Sequence, residues 1–305
     1  MKRLLNCTAS DFQKMTGQDL KRAIDASEGR TMVSEVICTA SPLYPGLTNA
    51  EYAAAFGADL ILLNFFDVNH PKIEGLEGVS PNQLLRKVKE LVGRPVGVNL
   101  EPVDLDARGA ETLSTLSEGR MATLESLKKA KELGADFVCL TGNPKTGVTN
   151  KEITKSIQLA REAFGKDGLI IAGKMHGAGV KGEAGINIVS EEVVRQFVEA
   201  GADVILLPGV GTVPGTSLDK LSKLVETAKS AGALVMTTIG TSQEGADEET
   251  IKRIALYNKM AGADIHHIGD TGLMGIAVPE NIMVYSIAIR GRRHTFTRMA
   301  ASILR

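Results

Sequence analysis

The sequence predicts an α/β fold, a (βα)8 TIM barrel, and a recurring tripeptide is the first observation that predicts it. Gly-Ala-Asp begins at Gly57, Gly134, Gly201 and Gly262, and a short apolar run follows each copy. A glycine that ends a helix, followed by a strand apolar on both faces, is typical of a parallel sheet covered by helices. Successive copies are about two βα units apart, which predicts one more strand between them.

The number of strand candidates is the second observation. They are residues 32–38, 60–63, 95–99, 137–140, 169–173, 204–207, 234–239 and 265–268, and a helix candidate follows each one. Eight such units in about 250 residues close into a barrel. An open doubly wound sheet is the alternative, but it usually carries fewer strands.

Capping patterns predict where helices begin. Thr48 and Thr149 are each followed three residues later by a glutamate, and Ser80 precedes a proline. These are capping boxes and a proline at the first helical position. Residues 10–27 predict an extra amphipathic helix that closes the bottom of the barrel. This helix belongs to an N-terminal helical extension, residues 1–30, that precedes the first strand.

Composition narrows the class of protein. The chain has 305 residues, 43% of them hydrophobic, which suits a single barrel domain over residues 1–305. The net charge of −1 gives no field that attracts nucleic acid. The exception is the basic segment 290–305, which is either a solvated last helix, a subunit contact or a surface for a phosphate-rich partner.

The location of the protein is predicted from what the sequence lacks. No apolar stretch approaches the roughly 20 residues of a membrane span, and no secretory signal is visible. The three cysteines form no motif, which fits reduced thiols in the cytoplasm. A homo-oligomer is expected, since barrels of this size commonly associate.

Polar residues at the carboxyl ends of the strands are the candidate catalytic groups, because barrel active sites form there. They are Asn64, Asn99, Glu101, Lys174 and His176. Side chains alternate along a strand, so Lys174 and His176 are expected to share one face, as are Asn99 and Glu101. Lys174 has three possible roles: a Schiff base with a carbonyl, stabilisation of an enolate, or an ion pair with an acid such as Glu101.

The histidines leave alternatives open. His176 is a general base, a metal ligand or a hydrogen-bonded spectator. Of His266 and His267, only one can face the barrel interior, and the other should pack beneath an outer helix. Asp67 and His70 lie close together in a loop. With His176 they are the candidates for a divalent cation, the only cofactor considered.

Glycine-rich loops predict a phosphate-binding site. The loops after the sixth, seventh and eighth strands supply Gly209, Gly211, Gly240, Thr241, Ser242, Gly269, Asp270, Thr271 and Gly272. Glycine lets backbone N–H groups approach an anion, although such turns are also simply tight. A P-loop is excluded, because no Gly-Lys-Ser/Thr follows the glycines. Four glycines in residues 177–185 predict a mobile lid or an ordinary loop.

Short segments resemble a known family. Asn64, Phe65, Asp67 and Val68 match the second strand of BtpA-type barrels, with Phe66 in place of a glycine. Residues 95–99 resemble that family's third strand, and residues 173–176 resemble its lysine–histidine element, with Met175 inserted between the pair. The resemblance implies a relative of the ribulose-phosphate-binding barrels.

Two other barrel families differ from this chain at residues that define them. Residues 35–42 resemble the first strand of indole-3-glycerol-phosphate synthases, but Ile37 or Cys38 stands where that family has its catalytic lysine. The metal-binding acidic motif of phosphoenolpyruvate mutases has no convincing match.

The leading hypothesis is an enzyme that acts on a small phosphorylated sugar or related oxo-acid by isomerisation, epimerisation or aldol-type cleavage. Glu101 or His176 would be the base, and Lys174 would stabilise the enolate. The alternatives are a divalent-metal-dependent hydrolase or lyase, and a barrel that senses a ligand or assists assembly without catalysis.

Overall fold

The fold is a closed barrel of eight parallel strands in sequence order, seen in a computed structural model that describes residues 2–305. The strands are β1 (Thr31–Ile37), β2 (Leu60–Asn64), β3 (Val96–Asn99), β4 (Phe137–Leu140), β5 (Leu169–Gly173), β6 (Val204–Pro208), β7 (Leu234–Ile239) and β8 (Ile265–Ile268). The (βα)8 barrel predicted from the sequence is confirmed, and the doubly wound alternative is wrong.

Within the described residues, ten α-helices accompany the strands. They are α1 (Ala9–Phe12), α2 (Gly17–Asp25), α3 (Asn49–Ala55), α4 (Leu84–Val92), α5 (Leu124–Leu133), α6 (Asn150–Phe164), α7 (Glu191–Ala200), α8 (Leu218–Ser230), α9 (Glu248–Met260) and α10 (Pro279–Ala300). Helices α3 to α10 follow β1 to β8 in turn. Helix α10 is interrupted at Gly291, where φ is 74° and ψ is 166°. No described helix is both long enough and apolar enough to cross a bilayer.

The strand register decides which side chains fill the barrel. The paired residues Val33 and Leu60, and Gly97 and Phe137, belong to the set that points inward. A Cβ atom at Gly97 would lie 2.3 Å from the Phe137 ring, so this glycine makes room for the aromatic side chain. Apolar residues fill the lower part of the interior, and the polar inward residues lie at the carboxyl ends of the strands.

The Gly-Ala-Asp repeat joins the strands in pairs. Its glycines have φ values between 95° and 112°, a left-handed conformation that suits glycine at the end of a helix. Each aspartate accepts a hydrogen bond from a backbone N–H at or next to the start of the preceding strand: Asp59 from Met32 (2.8 Å), Asp136 from Val96 (2.9 Å), Asp203 from Ile170 (3.0 Å) and Asp264 from Val235 (2.9 Å).

Each of these aspartates also pairs with a cation from an outer helix. The pairs are Arg290 with Asp59, Lys89 with Asp136, Arg161 with Asp203 and Lys229 with Asp264. The same contact therefore recurs in every quarter of the barrel, each quarter being two βα units.

The bottom of the barrel is closed by two helices, where one over residues 10–27 was expected. Thr8 and Thr16 each begin a separate capping box, with Asp11 and Asp19, so the chain breaks between α1 and α2. Leu4, Phe12, Leu20 and Ile24 of this segment pack against the inward residues at the strand starts.

The other helix starts agree with the sequence in part. The Thr48 hydroxyl accepts from Glu51 N–H in a complete capping box, and Thr149 caps α6 through Glu152 N–H. Ser80 makes no capping hydrogen bond, and Pro81–Gln83 forms a 3-10 turn before α4 begins at Leu84.

Candidate active site

A small cavity lies at the carboxyl ends of the strands. Its volume is about 160 Å³. Its walls are Glu35, Ile37, Asn64, Phe65, Asn99, Thr141, Gly142, Asn143, Pro144, Met175, His176, Gly240, Glu244, Gly269, Asp270 and Thr271. Every one of these lining residues belongs to the described chain, and none is lysine or arginine. The cavity is therefore acidic, with carboxamides and hydroxyls beside its carboxyl groups.

Three buried carboxyl groups set the electrostatics of the cavity. Burial, with the charge of Glu101, raises the pKa of Glu35 to about 8. Burial likewise raises the pKa of Asp270 to about 7, with a further contribution from Glu35, and that of Glu244 to about 7. Removing a carboxylate from water disfavours its charged form. Near pH 7 these groups can therefore both donate and accept protons, as general acid–base catalysis requires.

Glu35 and His267 form a pair inside the barrel. The Glu35 Oε2 atom lies 3.0 Å from His267 Nε2. Burial lowers the pKa of His267 to about 4, so the imidazole is neutral near pH 7. His267 therefore faces the interior. His266 lies on the opposite face, where its ring contacts Gly29 O and Tyr285 of α10.

A network of carboxamides connects neighbouring strand ends. Asn64 Nδ2 donates to Asp270 Oδ2 (2.8 Å) and to Asn143 Oδ1 (2.8 Å). Asn99 Nδ2 donates to Asn64 Oδ1 at 3.3 Å. Asn143 Nδ2 donates to Asn64 Oδ1 and to Glu101 Oε1. These contacts orient the Asp270 carboxyl group and hold three strand ends around the cavity.

Glu101 lies behind this network and does not line the cavity. It is buried and forms an ion pair with Arg120 at 2.5 Å. The Arg120 guanidinium also stacks on the Phe65 ring, 4.0 Å from its centroid. Phe65 has a φ of 61°, an unusual conformation for a bulky residue, and such strain concentrates at functional sites. Glu101 therefore positions Asn143 and Arg120, and its predicted role as a base stays untested.

Lys174 does not reach the cavity. Gly173 pairs in register with Leu206, which points inward, so alternation turns Lys174 outward. Its ammonium is buried and lies 2.7 Å from Glu183 Oε2 in the loop after β5, not near Glu101. Burial lowers the pKa of Lys174, and Glu183 opposes this effect. Met175 and His176 line the cavity instead, so Lys174 and His176 do not share one face as expected.

His176 does line the cavity. Its Nδ1 atom accepts a hydrogen bond from Ala178 N–H at 3.0 Å, which places the proton of the neutral ring on Nε2. Burial, with the charge of Lys174, lowers the pKa of His176 to about 4. His176 is therefore suited to donate a hydrogen bond at neutral pH. Its loop is tied to the loop after β3, since Ala110 N–H donates to Gly179 O.

The predicted phosphate-binding residues separate into two groups. Gly240, Gly269, Asp270 and Thr271 line the cavity, whereas Gly209, Gly211, Thr241, Ser242 and Gly272 do not. Several of the glycines accommodate protein atoms: a Cβ at Gly240 would lie 2.1 Å from Met175 Sδ, and one at Gly269 would lie 2.4 Å from Glu244 Oε1. Tight packing explains these positions.

Gly211 differs from those glycines. A Cβ atom there would meet no atom within 4 Å. With Thr212 and Gln243 it lines an open groove beside the cavity. The Thr241 hydroxyl donates to Thr212 O, which links this groove to the loop that carries Gly240. Phosphate binding therefore stays a prediction, with Gly211 as the free position.

Two candidate metal ligands lie near each other, with 3.9 Å between Asp67 Oδ2 and His70 Nδ1, but the third, His176, lies at the cavity wall, which neither of them lines. Asp67 accepts hydrogen bonds from the N–H groups of Asn69 and His70, and the His70 side chain is exposed. Among residues 2–305, no three His, Cys, Asp or Glu side chains are arranged to hold a metal ion.

Glu244 is the site residue that sequence reasoning missed. It lies in a 3-10 turn (Gln243–Gly245) after β7, away from any strand end, and Asn281 of α10 holds its carbonyl. Glu35 and Asn143 stand at recognisable strand ends, but no pattern in the sequence distinguished them from their neighbours.

The buried carboxyl groups predict how stability depends on pH. Carboxyl groups titrate at about 4 in the unfolded chain, so the folded state binds these protons more tightly. Their stabilisation is complete below about pH 4 and is lost as the pH rises through about 7 to 8. We expect Glu35→Gln to reduce the decline in unfolding free energy between pH 5 and pH 8 by roughly 1–3 kcal/mol.

Urea unfolding at pH 5, 6.5 and 8 measures this difference. The exposed Glu248 provides the control, since Glu248→Gln should leave the pH dependence unchanged. An equal decline in the Glu35→Gln variant and the unmodified protein would show that Glu35 ionises freely in the folded state.

Solved structures share the barrel at low identity. An archaeal fructose 1,6-bisphosphate aldolase is 15% identical, with 87% of this chain and 95% of that chain covered at a TM-score of 0.54. Another archaeal fructose 1,6-bisphosphate aldolase, with its catalytic lysine bound to the carbinolamine intermediate, is also 15% identical. The match covers 87% of this chain and 96% of that chain at a TM-score of 0.53. A lyase/mutase candidate from Burkholderia cenocepacia J2315 is 17% identical, and the match covers 96% of this chain and 93% of that chain at a TM-score of 0.51.

These likenesses establish the TIM-barrel fold, and the finer resemblance to BtpA-type barrels is not confirmed. No curated protein matches the chain. A family model does: the one described as a domain of unknown function (DUF7916) matches residues 5–305, and the protein therefore belongs to this family.

Proposed function

We propose that the protein is a lyase or isomerase that moves a proton beside the carbonyl group of a small phosphorylated sugar or related oxo-acid. The observation that carries this proposal is the cluster of Glu35, Glu244 and Asp270 around the cavity, each with a pKa near 7 or 8. Groups with such values exchange protons with a substrate at neutral pH.

Unpartnered polar atoms give the cavity its affinity for a polar substrate. Thr141 Oγ1 and Glu244 Oε2 are buried and have no hydrogen-bond partner within residues 2–305. Leaving such groups unpaired is costly, and a substrate oxygen or hydroxyl would pair with them. In this proposal the Thr141 hydroxyl donates to the carbonyl oxygen of the substrate, and Glu244 accepts from a substrate hydroxyl.

The proposed reaction divides the roles between two carboxyl groups. Asp270, ionised in part at pH 7, removes the proton from the carbon beside the carbonyl. The electrons of that C–H bond form the enolate. Glu35, protonated at pH 7 and backed by His267, donates its proton to the enolate oxygen. For isomerisation, Asp270 returns its proton to the former carbonyl carbon, and Glu35 takes the proton of the adjacent hydroxyl, so that the carbonyl group moves by one carbon. For aldol cleavage, Asp270 instead removes the proton of the hydroxyl two carbons from the carbonyl. The carbon–carbon bond then breaks to an aldehyde and an enolate, and Asp270 returns the proton to the enolate carbon.

The phosphate group is assigned to the groove outside the cavity. The cavity wall is acidic and would repel a phosphate. The groove lined by Gly211, Thr212 and Gln243 is open, and the hydrogen bond from the Thr241 hydroxyl to Thr212 O ties it to the loop that carries Gly240 of the cavity wall. In this proposal Lys174 does not contact the substrate, and its ion pair with Glu183 holds the loop after β5.

Exchange of hydrogen with solvent tests the proposal directly. Sugar phosphates, free sugars and small oxo-acids are incubated with the protein in D2O, and proton NMR follows loss of the signal beside each carbonyl. We expect exchange of at least one compound by the unmodified protein, and none by Asp270→Asn. Exchange that persists in Asp270→Asn would remove Asp270 as the base.

Thermal shifts with the same panel identify the substrate class. Binding to the folded state alone raises the melting temperature. Stabilisation by a sugar phosphate but not by its free sugar supports the groove assignment, and equal shifts contradict it. Repeating the exchange assay with EDTA tests the metal-dependent alternative, because loss of exchange would show that a cation is needed.

A further inference from the structure

A second cavity lies at the opposite end of the barrel from the candidate active site. Its volume is about 780 Å³, and it lies between the N-terminal segment and the end of α10. Leu4 and Cys7 of that segment pack against residues at the strand starts, and Arg298 bonds Asp59 just before β2. The cavity is therefore at the amino-terminal ends of the strands.

Positive charge dominates this cavity. Its lining includes Arg3, Arg293, His294, Arg298 and Arg305, and none of its described lining side chains is acidic. Within residues 2–305, no carboxylate forms an ion pair with Arg3, Arg293 or Arg305, although the protein has 36 acidic residues. Burial lowers the pKa of His294, and the charges of Arg293 and Arg3 lower it further. These charges therefore converge from both ends of the described chain.

The layer beneath the cavity adds to this excess. Arg290 and Arg298 share the single carboxylate of Asp59, and Arg94 donates to Arg298 O beside them. Three buried guanidinium groups thus have one acidic partner. Burial and the neighbouring Arg298 lower the pKa of Arg94 to about 10. An uncompensated buried positive charge is costly, so an anion bound above it would stabilise the protein.

We propose that this cavity binds a small compound that carries two or more phosphate groups. The guanidinium is the side chain best suited to bind phosphate oxygens in pairs. Arginines from two segments of the chain face a space larger than one phosphate occupies, and the hydroxyl of Ser302 supplies a further donor. Because the site is remote from the acidic cavity, its ligand is distinct from the substrate.

Calorimetric titration with pyrophosphate, ADP and inorganic phosphate tests the proposal. We expect pyrophosphate and ADP to bind more tightly than phosphate, with an affinity that falls as salt is added. Tighter binding of ADP than pyrophosphate would show that the cavity also accepts the nucleoside. Equal affinities for ADP and pyrophosphate would show that only the phosphate groups are recognised. Absence of saturable binding at millimolar pyrophosphate would overturn the proposal.

Single substitutions locate the binding. Arg3→Gln and Arg293→Gln should each weaken pyrophosphate binding by about tenfold, the loss of one charge-assisted contact. Arg292 is exposed and adjacent but does not line the cavity, so Arg292→Gln removes the same charge as a matched control. If all three variants bound pyrophosphate equally weakly, the loss would reflect net charge alone, and the proposed site would be wrong. The proposal would also be overturned if the protein formed a dimer that bound no pyrophosphate and that the Arg293→Gln substitution dissociated.

Discussion

Replacement of Asp59 with asparagine is expected to destabilise the barrel by about 3–5 kcal/mol. Asp59 is fully buried and accepts from Met32 N–H and from two arginines, with Arg298 Nε at 2.6 Å. Asparagine keeps the shape and one acceptor but removes the charge. Arg290 and Arg298 would then stay buried without a carboxylate, and breaking a buried pair in this way costs far more than losing a surface pair.

The repeat itself supplies the control for this experiment. Asp136 makes the same backbone contact to Val96, but its partner Lys89 is partly exposed, so Asp136→Asn should cost only about 1 kcal/mol. Unfolding free energies from urea denaturation give both values. Equal losses for the two variants would show that the shared backbone contact, and not the buried charge, stabilises each quarter of the barrel.

Asp270→Asn should lower kcat by about 10²–10⁴ with the substrate that the exchange assay identifies. Asparagine can still accept the hydrogen bond from Asn64 Nδ2, so the cavity keeps its geometry while its base is lost. The unmodified protein should show a bell-shaped profile of kcat/KM against pH. Activity rises as Asp270 ionises near pH 7 and falls as Glu35 loses its proton near pH 8.

Asp106 provides a control on the same face of the barrel. It is an exposed aspartate in the loop after β3 and lies outside the cavity. Asp106→Asn should keep full activity and the same pH profile. A loss of kcat in Asp270→Asn with an unchanged rising limb of the profile would assign that limb to another group, with Glu244 as the next candidate.

The repeated tripeptide and the apolar runs were enough to predict the barrel. Gly57, Gly134, Gly201 and Gly262 mark helix ends, because a left-handed conformation favours glycine there. Strands that are apolar on both faces are covered on both sides, and eight of them in about 250 residues favour a closed barrel over an open sheet. Local chemistry also determined the caps at Thr48 and Thr149, where the side chain and its partner lie three residues apart.

The tertiary structure decided which side chains face the cavity. In β5 every residue is apolar or glycine, so its sequence carries no sign of which face points inward. Pairing of Gly173 with Leu206 fixes that face, turns Lys174 outward and places Met175 at the cavity wall. In the same way, the pairing of β8 with β1 decides that His267 faces the interior and His266 faces the outer helices.

Long-range burial decided the chemistry of the site. Glu35 and Asp270 are separated along the chain, and the pKa values of their carboxyl groups rise to about 8 and about 7 because barrel closure brings them together, out of water. Glu244 enters the same cavity from a turn, through Gly269, which leaves it room. The sequence by itself thus determined the barrel and the end that holds the site, since these follow from local periodicity. The register and the burial that tune the carboxyl groups depend on contacts between distant strands, which no local pattern encodes.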